Sequence, residues 1–272
     1  KMIKIEDVSF RYKNSENVLE NINLEINEGE FISIVGKNGT GKSTILNLLA
    51  GLTKPTKGKI FIDDIDTKSK KDFINLRKKV GIVFQNPDNQ ILFPRVYEDI
   101  EFGLKNLGID DREKRIDEAL KTVNMLEFKD KDTYELSLGQ KQRVNIASML
   151  AVKPKYIVLD EPTTMIDSKE KENIYNCLRT LKQSGSTIIF VTNNVDEILL
   201  SDKIMILEDK RIKHVFNKSE ILDNVNLLEK SDIKIPDIIQ IILKLKQKGI
   251  NINLKEWTIS EMIDEIVKVY KK

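Results

Sequence analysis

Gly36-Lys37-Asn38-Gly39-Thr40-Gly41-Lys42-Ser43-Thr44 decides the fold. The residues before it, Phe31–Val35, form a compact apolar run of the length of a buried strand. Those after it, Thr44–Ala50, carry helical apolar spacing and are closed by Gly51 as a C-terminal cap. A glycine-rich turn between strand and helix lets backbone N–H groups curl around phosphate oxygens, because no side chain stands in the way. The first turn of the helix adds its partial positive charge at the same point. In that frame Lys42 reaches the β- and γ-phosphates of a nucleotide, and the Ser43 hydroxyl is a Mg²⁺ ligand.

A triphosphate site needs an acidic residue at the end of a neighbouring strand. Tyr156-Ile157-Val158-Leu159-Asp160-Glu161 supplies one: Asp160 holds Mg²⁺ directly or through water, and Glu161 polarises the attacking water. Further compact strands are expected at Val80–Phe84, which leads into the polar stretch Gln85–Gln90, and at Thr187–Val191. Upstream, Met2–Phe10 and Ile22–Ile26 alternate apolar and polar residues around the turn-prone Lys13–Asn17. Residues 98–152 differ in texture, with charged residues and leucines at helical spacing, as in Arg112–Leu126, and read as a helical insertion. Asp167 and Glu170 form a capping-box start to a helix with Ile174, Leu178 and Leu181 on one face. Beyond residue 216, Ile238–Leu245 is helical, and Thr258 with Glu261 caps a last helix whose apolar face is Met262, Ile263, Ile266 and Val267.

Composition excludes several classes. With 272 residues, 40% hydrophobic and 32% charged, the chain is of ordinary globular make-up, and a net charge of +2 gives no basic field for nucleic acid. The single cysteine, Cys177, cannot form an internal disulfide and suggests a reducing compartment. No apolar run approaches the ~18 residues of a membrane span, and the charged N-terminal stretch does not read as a signal peptide. A cytosolic chain whose membrane role comes through partners is the expectation.

Further motifs carry a family resemblance. Leu136-Ser137-Leu138-Gly139-Gln140, followed by Lys141-Gln142-Arg143 and an apolar helix, resembles the ABC signature, usually Leu-Ser-Gly-Gly-Gln. Gln85 stands at a strand end like the family's Q-loop glutamine, Tyr12 matches the aromatic that stacks on adenine, and Thr164-Met165-Ile166-Asp167 resembles the D-loop. The chain resembles ABC ATPases over residues 2–215. This implies an α/β P-loop cassette with a mainly parallel core sheet, an antiparallel β subdomain and a helical subdomain. The implied extents are 1–216 for the nucleotide-binding domain, about 86–152 for its helical subdomain, and 217–272 for a C-terminal helical extension. It also implies ATP hydrolysis with Mg²⁺. ATP contacts would come from Tyr12, from Gly36 through Thr44 and, across a dimer, from Ser137, Leu138, Gly139 and Gln140; Mg²⁺ would be held by Ser43, Gln85 and Asp160. Gln85, Glu161 and Asn193, the second residue after strand Thr187–Val191, would serve the chemistry.

The forms Phe84-Gln85-Asn86-Pro87-Asp88-Asn89-Gln90 and Glu98-Asp99-Ile100-Glu101-Phe102-Gly103-Leu104-Lys105-Asn106-Leu107-Gly108, with the helical tail, are similar to the first ATPase type of energy-coupling factor transporters, which take up vitamins and cobalt or nickel. That resemblance implies a second ABC ATPase, a membrane coupling protein and a substrate-binding membrane subunit as partners, with no nucleic acid, at the cytoplasmic face of the membrane.

The chain departs from the family at two positions. Where a histidine usually follows the strand, it reads Thr192-Asn193-Asn194, and the one histidine, His214, lies on a later strand-like segment. Asn193 can donate a hydrogen bond but cannot carry charge or shuttle a proton. Leu138 replaces the first signature glycine, whose lack of a side chain permits close approach to a partner's nucleotide. Asn193 would weaken the site on this chain's own phosphate loop, and Leu138 the site on its partner's.

Overall fold

The computed structural model describes residues 2–252, 254–255 and 257–270. It opens with an antiparallel pair, β1 (Met2–Arg11) and β2 (Asn17–Asn27), whose inner faces bury Ile3, Ile5, Val8, Leu19, Ile22 and Ile26. β2 starts well before Ile22, because Leu19 pairs with Phe10 and continues the buried face. β3 (Phe31–Val35) is wholly buried and feeds α1 (Lys42–Leu49) through the glycine turn. β4 (Lys57–Ile62) and β5 (Ile65–Asp66) then complete a four-stranded antiparallel sheet in the order β2-β1-β4-β5. The exposed Lys57 and Lys59 on either side of Gly58 dilute the alternation that would have announced β4 in the sequence.

After α2 (Phe73–Lys79) the chain enters the core sheet at β6 (Val80–Val83) and leaves it for three helices, α3 (Val96–Asn106), α4 (Arg112–Thr122) and α5 (Leu138–Ala151). Val96, Ile100, Ile116, Leu120, Val144 and Ala147 pack these helices on one another in an apolar cluster that continues into Val83, Ile157, Leu159 and Phe190 of the core sheet. The chain returns through β7 (Tyr156–Asp160), α6 (Ser168–Gln183), β8 (Thr187–Val191), the short α7 (Val195–Ile198), β9 (Lys203–Glu208) and β10 (Arg211–Asn217). The core sheet runs β10-β9-β3-β8-β7-β6, parallel at every pair except β10–β9. Ligands bind such sheets at the carboxyl ends of the strands. Those ends carry the phosphate loop after β3, Asn193 after β8, Asp160 at the end of β7 and Gln85 after β6.

Asp63, in the turn between β4 and β5, ties the two sheets. It accepts from Lys79 at 2.5 Å, Lys155 at 3.0 Å and the Tyr156 hydroxyl at 2.6 Å. Burial opposes its charge, but these donors prevail and hold the carboxyl well below the usual carboxylate range, while burial and Asp63 push Tyr156 up to about 12.

The tail comprises α8 (Val225–Lys230), α9 (Asp237–Gln247) and α10 (Ile259–Tyr270). Leu228, Ile239, Ile242, Trp257 and Met262 join Val35, Ile204 and Ile206 of the core sheet in one apolar cluster, so the tail packs directly on that sheet. The expected apolar face of the last helix is only half buried. Met262 and Ile266 turn inward, whereas Ile263 and Val267 stay exposed. Asp167 does cap α6, accepting from the N–H groups of Lys169 and Glu170 at 3.0 Å each. Glu170 reaches across to Arg143 of α5 instead of closing the capping box. Among the described residues no helix is long and apolar enough to cross a membrane.

Candidate functional site: a nucleotide cleft

Gly36 ends β3 in a place that admits no side chain, because a Cβ there would sit 2.3 Å from the Leu207 carbonyl oxygen. From it the loop curls so that Lys42, the first residue of α1, folds back over its own backbone. The Lys42 ammonium donates to the Gly36 carbonyl at 2.7 Å and the Lys37 carbonyl at 3.1 Å. Burial lowers its affinity for the proton, and the nearby Glu161 and Asp160 charges offset part of that. A lysine held this way meets an incoming phosphate without first having to be ordered.

Ser43 Oγ donates to Asp160 Oδ1 at 3.1 Å, so β7 and α1 meet through hard oxygens. Burial pushes the Asp160 carboxyl up, against the Ser43 hydrogen bond and with the help of the adjacent Glu161 charge. Glu161 has φ of 42°, a left-handed backbone that costs an ordinary residue about 1–3 kcal/mol. The turn is pinned by its N–H, which donates to the Val191 carbonyl at 3.0 Å. Its carboxylate accepts from Gln85 Nε2 at 3.1 Å and from Thr164 Oγ1 at 3.2 Å, which aims it into the cleft.

Asn193 lies behind the phosphate loop, among the residues that line a neighbouring pocket. Its Oδ1 accepts from the Gly36 N–H at 3.4 Å and its Nδ2 donates to Asn38 Oδ1 at 3.3 Å. The amide therefore touches the phosphate loop itself. Tyr12 stands at the mouth, 47% exposed, its hydroxyl 3.0 Å from Thr44 Oγ1 and its ring edge-on to Phe10 at 4.9 Å. Tyr12, Lys42, Ser43, Thr44, Gln85, Glu161 and Thr164 border an open cleft of about 600 Å³, with Asn38, Gly39, Gly41 and Val18 also in its lining. Lys37 offers the loop only its backbone, since its ammonium turns outward to Asp232 of the tail at 3.9 Å.

The signature residues sit elsewhere. None of Ser137, Leu138, Gly139 and Gln140 lines this cleft. Ser137 caps α5 in a reciprocal box: its Oγ accepts from the Gln140 N–H at 3.2 Å, and the Gln140 side chain accepts from the Ser137 N–H at 2.9 Å. Leu138 is the first helical residue and its side chain faces outward, 41% exposed. Gly139 is the position under steric pressure, because a Cβ there would lie 2.5 Å from Glu170 Cγ.

A protein-family model of the ABC transporter family matches residues 19–164. The chain belongs to the ABC transporter ATP-binding family. Among curated relatives, the energy-coupling factor transporter ATP-binding protein EcfA1 of Caldanaerobacter subterraneus is 39% identical over 98% of this chain and 99% of its own length. EcfA1 of Oenococcus oeni is 42% identical over 92% of each chain. A relative named EcfA2, from Clostridium acetobutylicum, is 38% identical over 98% of this chain and 97% of its own. Of solved structures, CbiO1 of Clostridium perfringens, described as part of the ABC transporter complex CbiONQ, superposes with a TM-score of 0.74 at 35% identity, covering 88% of this chain and 97% of that one. The cassette MJ0796, solved as a post-hydrolysis dimer with ADP and Pi, gives 0.73 at 36% identity over 79% and 98%. The ATPase is thus an ATP-binding cassette of the energy-coupling factor type.

Several groups at the cassette's site escape sequence reasoning. Thr164 holds the Glu161 carboxylate. Gln142 and Asn145, one helical turn past the signature, donate to the Phe84 carbonyl at 2.9 Å and the Pro87 carbonyl at 3.0 Å. Lys141 reaches Asp88 at 2.7 Å. The signature helix therefore grips the Gln85–Gln90 stretch through backbone carbonyls, contacts that no motif records. The one sequence signal for them is that Gln142 and Asn145 are uncharged polar residues on the helix that follows the signature.

Proposed function

We propose that this chain is the ATP-hydrolysing subunit of an energy-coupling factor importer for vitamins or transition-metal ions, paired with a second ABC ATPase on a membrane coupling protein. One observation carries the reading. Lys42, Ser43, Gln85 and Glu161 line one cleft, with Asp160 hydrogen-bonded to Ser43 and Asn193 to Asn38 of its lining, while the signature turn of the same chain lies outside it. Such a chain holds two unlike half-sites and needs another cassette, head to tail, to complete either. The names of its relatives and the complex to which CbiO1 belongs agree with partners in the membrane, which would hold the chain peripherally at the cytoplasmic face.

In this reading Tyr12 receives the adenine, the loop from Gly36 to Thr44 cradles the phosphates, and Lys42 exchanges its loop carbonyls for β- and γ-phosphate oxygens. The Ser43 hydroxyl and the Asp160 carboxylate, 3.1 Å apart, are a hard-oxygen pair that suits Mg²⁺, which takes one or two protein ligands and fills its shell with phosphate and water. Gln85 stands within reach through Glu161. Mg²⁺, when bound, neutralises charge on the β- and γ-phosphates. Glu161, fixed by Gln85 and Thr164, takes the proton of the attacking water. Ser137, Leu138, Gly139 and Gln140 present the start of α5 to the partner's nucleotide. ATP joins the halves, and hydrolysis lets them part. The grip of α5 on the Gln85–Gln90 stretch carries that movement toward the coupling protein.

A second reading rests on Asn193. Its amide is placed against the phosphate loop, where it can donate to a γ-phosphate, yet it cannot hold a proton. The site on this chain is then slow, and the partner ATPase performs most turnover. Affinity purification of the tagged chain tests the assembly: a second ABC ATPase and an integral membrane protein should come with it, and recovery of a homodimer alone would sink the proposal. In the purified assembly, Glu161→Gln should lower ATP turnover by ~10²–10⁴ with ATP still bound if this site works. Turnover reduced by half or less would favour the slow-site reading.

A further inference from the structure

Glu197 is 1% exposed, the deepest carboxylate near the site, and nothing in the chemistry above uses it. It lies on α7, just past the stretch Thr192-Asn193-Asn194 that follows β8. Its Oε1 accepts from the Thr163 hydroxyl and, at 3.3 Å, from the Tyr175 hydroxyl of α6; its Oε2 accepts from the Thr192 hydroxyl. Among the described residues its hydrogen-bond partners are hydroxyls alone. The web extends to Asn194, whose N–H donates to Thr192 Oγ1 at 2.8 Å and whose Nδ2 donates to the Tyr175 hydroxyl at 3.3 Å.

Two of the three partners, Thr163 and Thr192, come from segments that carry the site. Thr163 is separated from Glu161 by Pro162 alone and adjoins Thr164, which holds the Glu161 carboxylate. Thr192 directly precedes Asn193. A buried carboxylate is expensive unless every lone pair is satisfied, and an apolar side chain of similar volume packs at lower cost. What an apolar residue cannot do is accept from both segments at once and fix their spacing.

We propose that Glu197 is a positioning residue for hydrolysis: by accepting hydroxyl hydrogen bonds from Thr163 and Thr192 together, it sets the Glu161 loop and Asn193 at a fixed separation across the γ-phosphate position. The inference rests on the roles proposed for Glu161 and Asn193.

Its electrostatics give the test a direction. Burial pushes the Glu197 carboxyl up, against the hydroxyl hydrogen bonds and the charge of Lys171 on α6, while Asp196 on α7 faces the Tyr175 hydroxyl. A carboxyl raised in the fold favours folding at low pH, and that contribution is lost as pH rises through its folded pKa. Turnover runs the other way: protonation turns one acceptor into a donor, so a hydroxyl partner is lost as pH falls through the same value. Glu197→Gln mimics the protonated form. In the purified assembly it should lower kcat about tenfold, leave the KM for ATP unchanged, leave the unfolding midpoint equal or higher, and flatten the acid limb of the kcat profile. Tyr175→Phe should cause a smaller loss in the same direction. Unchanged kcat in Glu197→Gln overturns the inference, as does a loss of kcat that only follows a fall in the unfolding midpoint. Glu161→Gln, run in parallel, separates the two readings. Turnover that survives Glu161→Gln overturns the assignment of hydrolysis to this chain's site, as the slow-site reading has it, and this inference with it; turnover lost there but intact in Glu197→Gln overturns this inference alone.

Discussion

The phosphate-loop half and the signature half of this cassette are built on opposite principles. Around the phosphate loop, polar groups from four strand ends are turned toward one another in provisional contacts. Lys42 donates to its own loop, Ser43 to Asp160, and Gln85 to Glu161. Each bond occupies a group that a nucleotide or its metal would claim, so the half is poised for exchange. The signature half is already satisfied. Ser137 and Gln140 complete each other's hydrogen bonds, and Gly139 presses against Glu170, which in turn pairs with the buried Arg143. One half is organised by ligand chemistry and the other by packing, and substitutions should separate them accordingly.

The largest effect is expected at the exchanging half. Lys42→Ala removes a charged donor that binding is arranged around, and ATP turnover at this site should fall by ~10²–10³ with the unfolding midpoint little changed. A loss of folding instead would mean that this half, too, is held by packing. Gly139→Ala probes the other half. The added methyl must displace Glu170, whose Cβ would be 2.7 Å away, and disturb its ion pair with Arg143. The expected cost is about 1–3 kcal/mol, read by denaturant or thermal unfolding, while nucleotide affinity of this chain's own cleft is retained.

Asn193→His comes next. Where asparagine limits the site, histidine restores a donor that can also hold a proton, and turnover should rise by about tenfold. An unchanged rate means that the amide, already within 3.4 Å of the Gly36 N–H, is an adequate substitute or that this site does not limit turnover.

How far these halves were legible in sequence follows the same division. Chemistry carried on one continuous stretch could be read directly: the loop Gly36–Thr44, the Asp160-Glu161 pair and the signature turn all lie where their strand and helix context predicted. Contacts assembled from distant segments could not. Glu197 gathers Thr163, Tyr175 and Thr192 from three elements, and no spacing in the chain announces that. Asp63 is likewise an unremarkable turn residue until β6 and β7 bring Lys79, Lys155 and Tyr156 to it. In the tail the period of α10 was readable but its phase was not, because the side that faces inward depends on how the helix meets β9 and α9. Ile263 and Val267 belong to the apolar face read from the sequence, yet both stay exposed.

Leu138 offers the finest test of the comparison. A glycine at this position is expected in the family, and sequence reasoning assigns its loss a cost at the partner's nucleotide. The side chain of Leu138 points outward from the first turn of α5, so it strains nothing within the chain, and any cost falls on what docks there. Leu138→Gly should therefore do two opposite things. It should destabilise the fold by about 0.5–1 kcal/mol, since glycine loses more backbone freedom on entering a helix. It should also raise the turnover of the site completed by this signature, measured with this chain's own cleft silenced by Glu161→Gln. A gain in turnover with a small loss of stability would show that the signature half, satisfied within its own chain, still answers to the nucleotide of another. Loss of stability with no change in turnover would mean that Leu138 clears the partner's phosphate without help, and that packing alone explains this half.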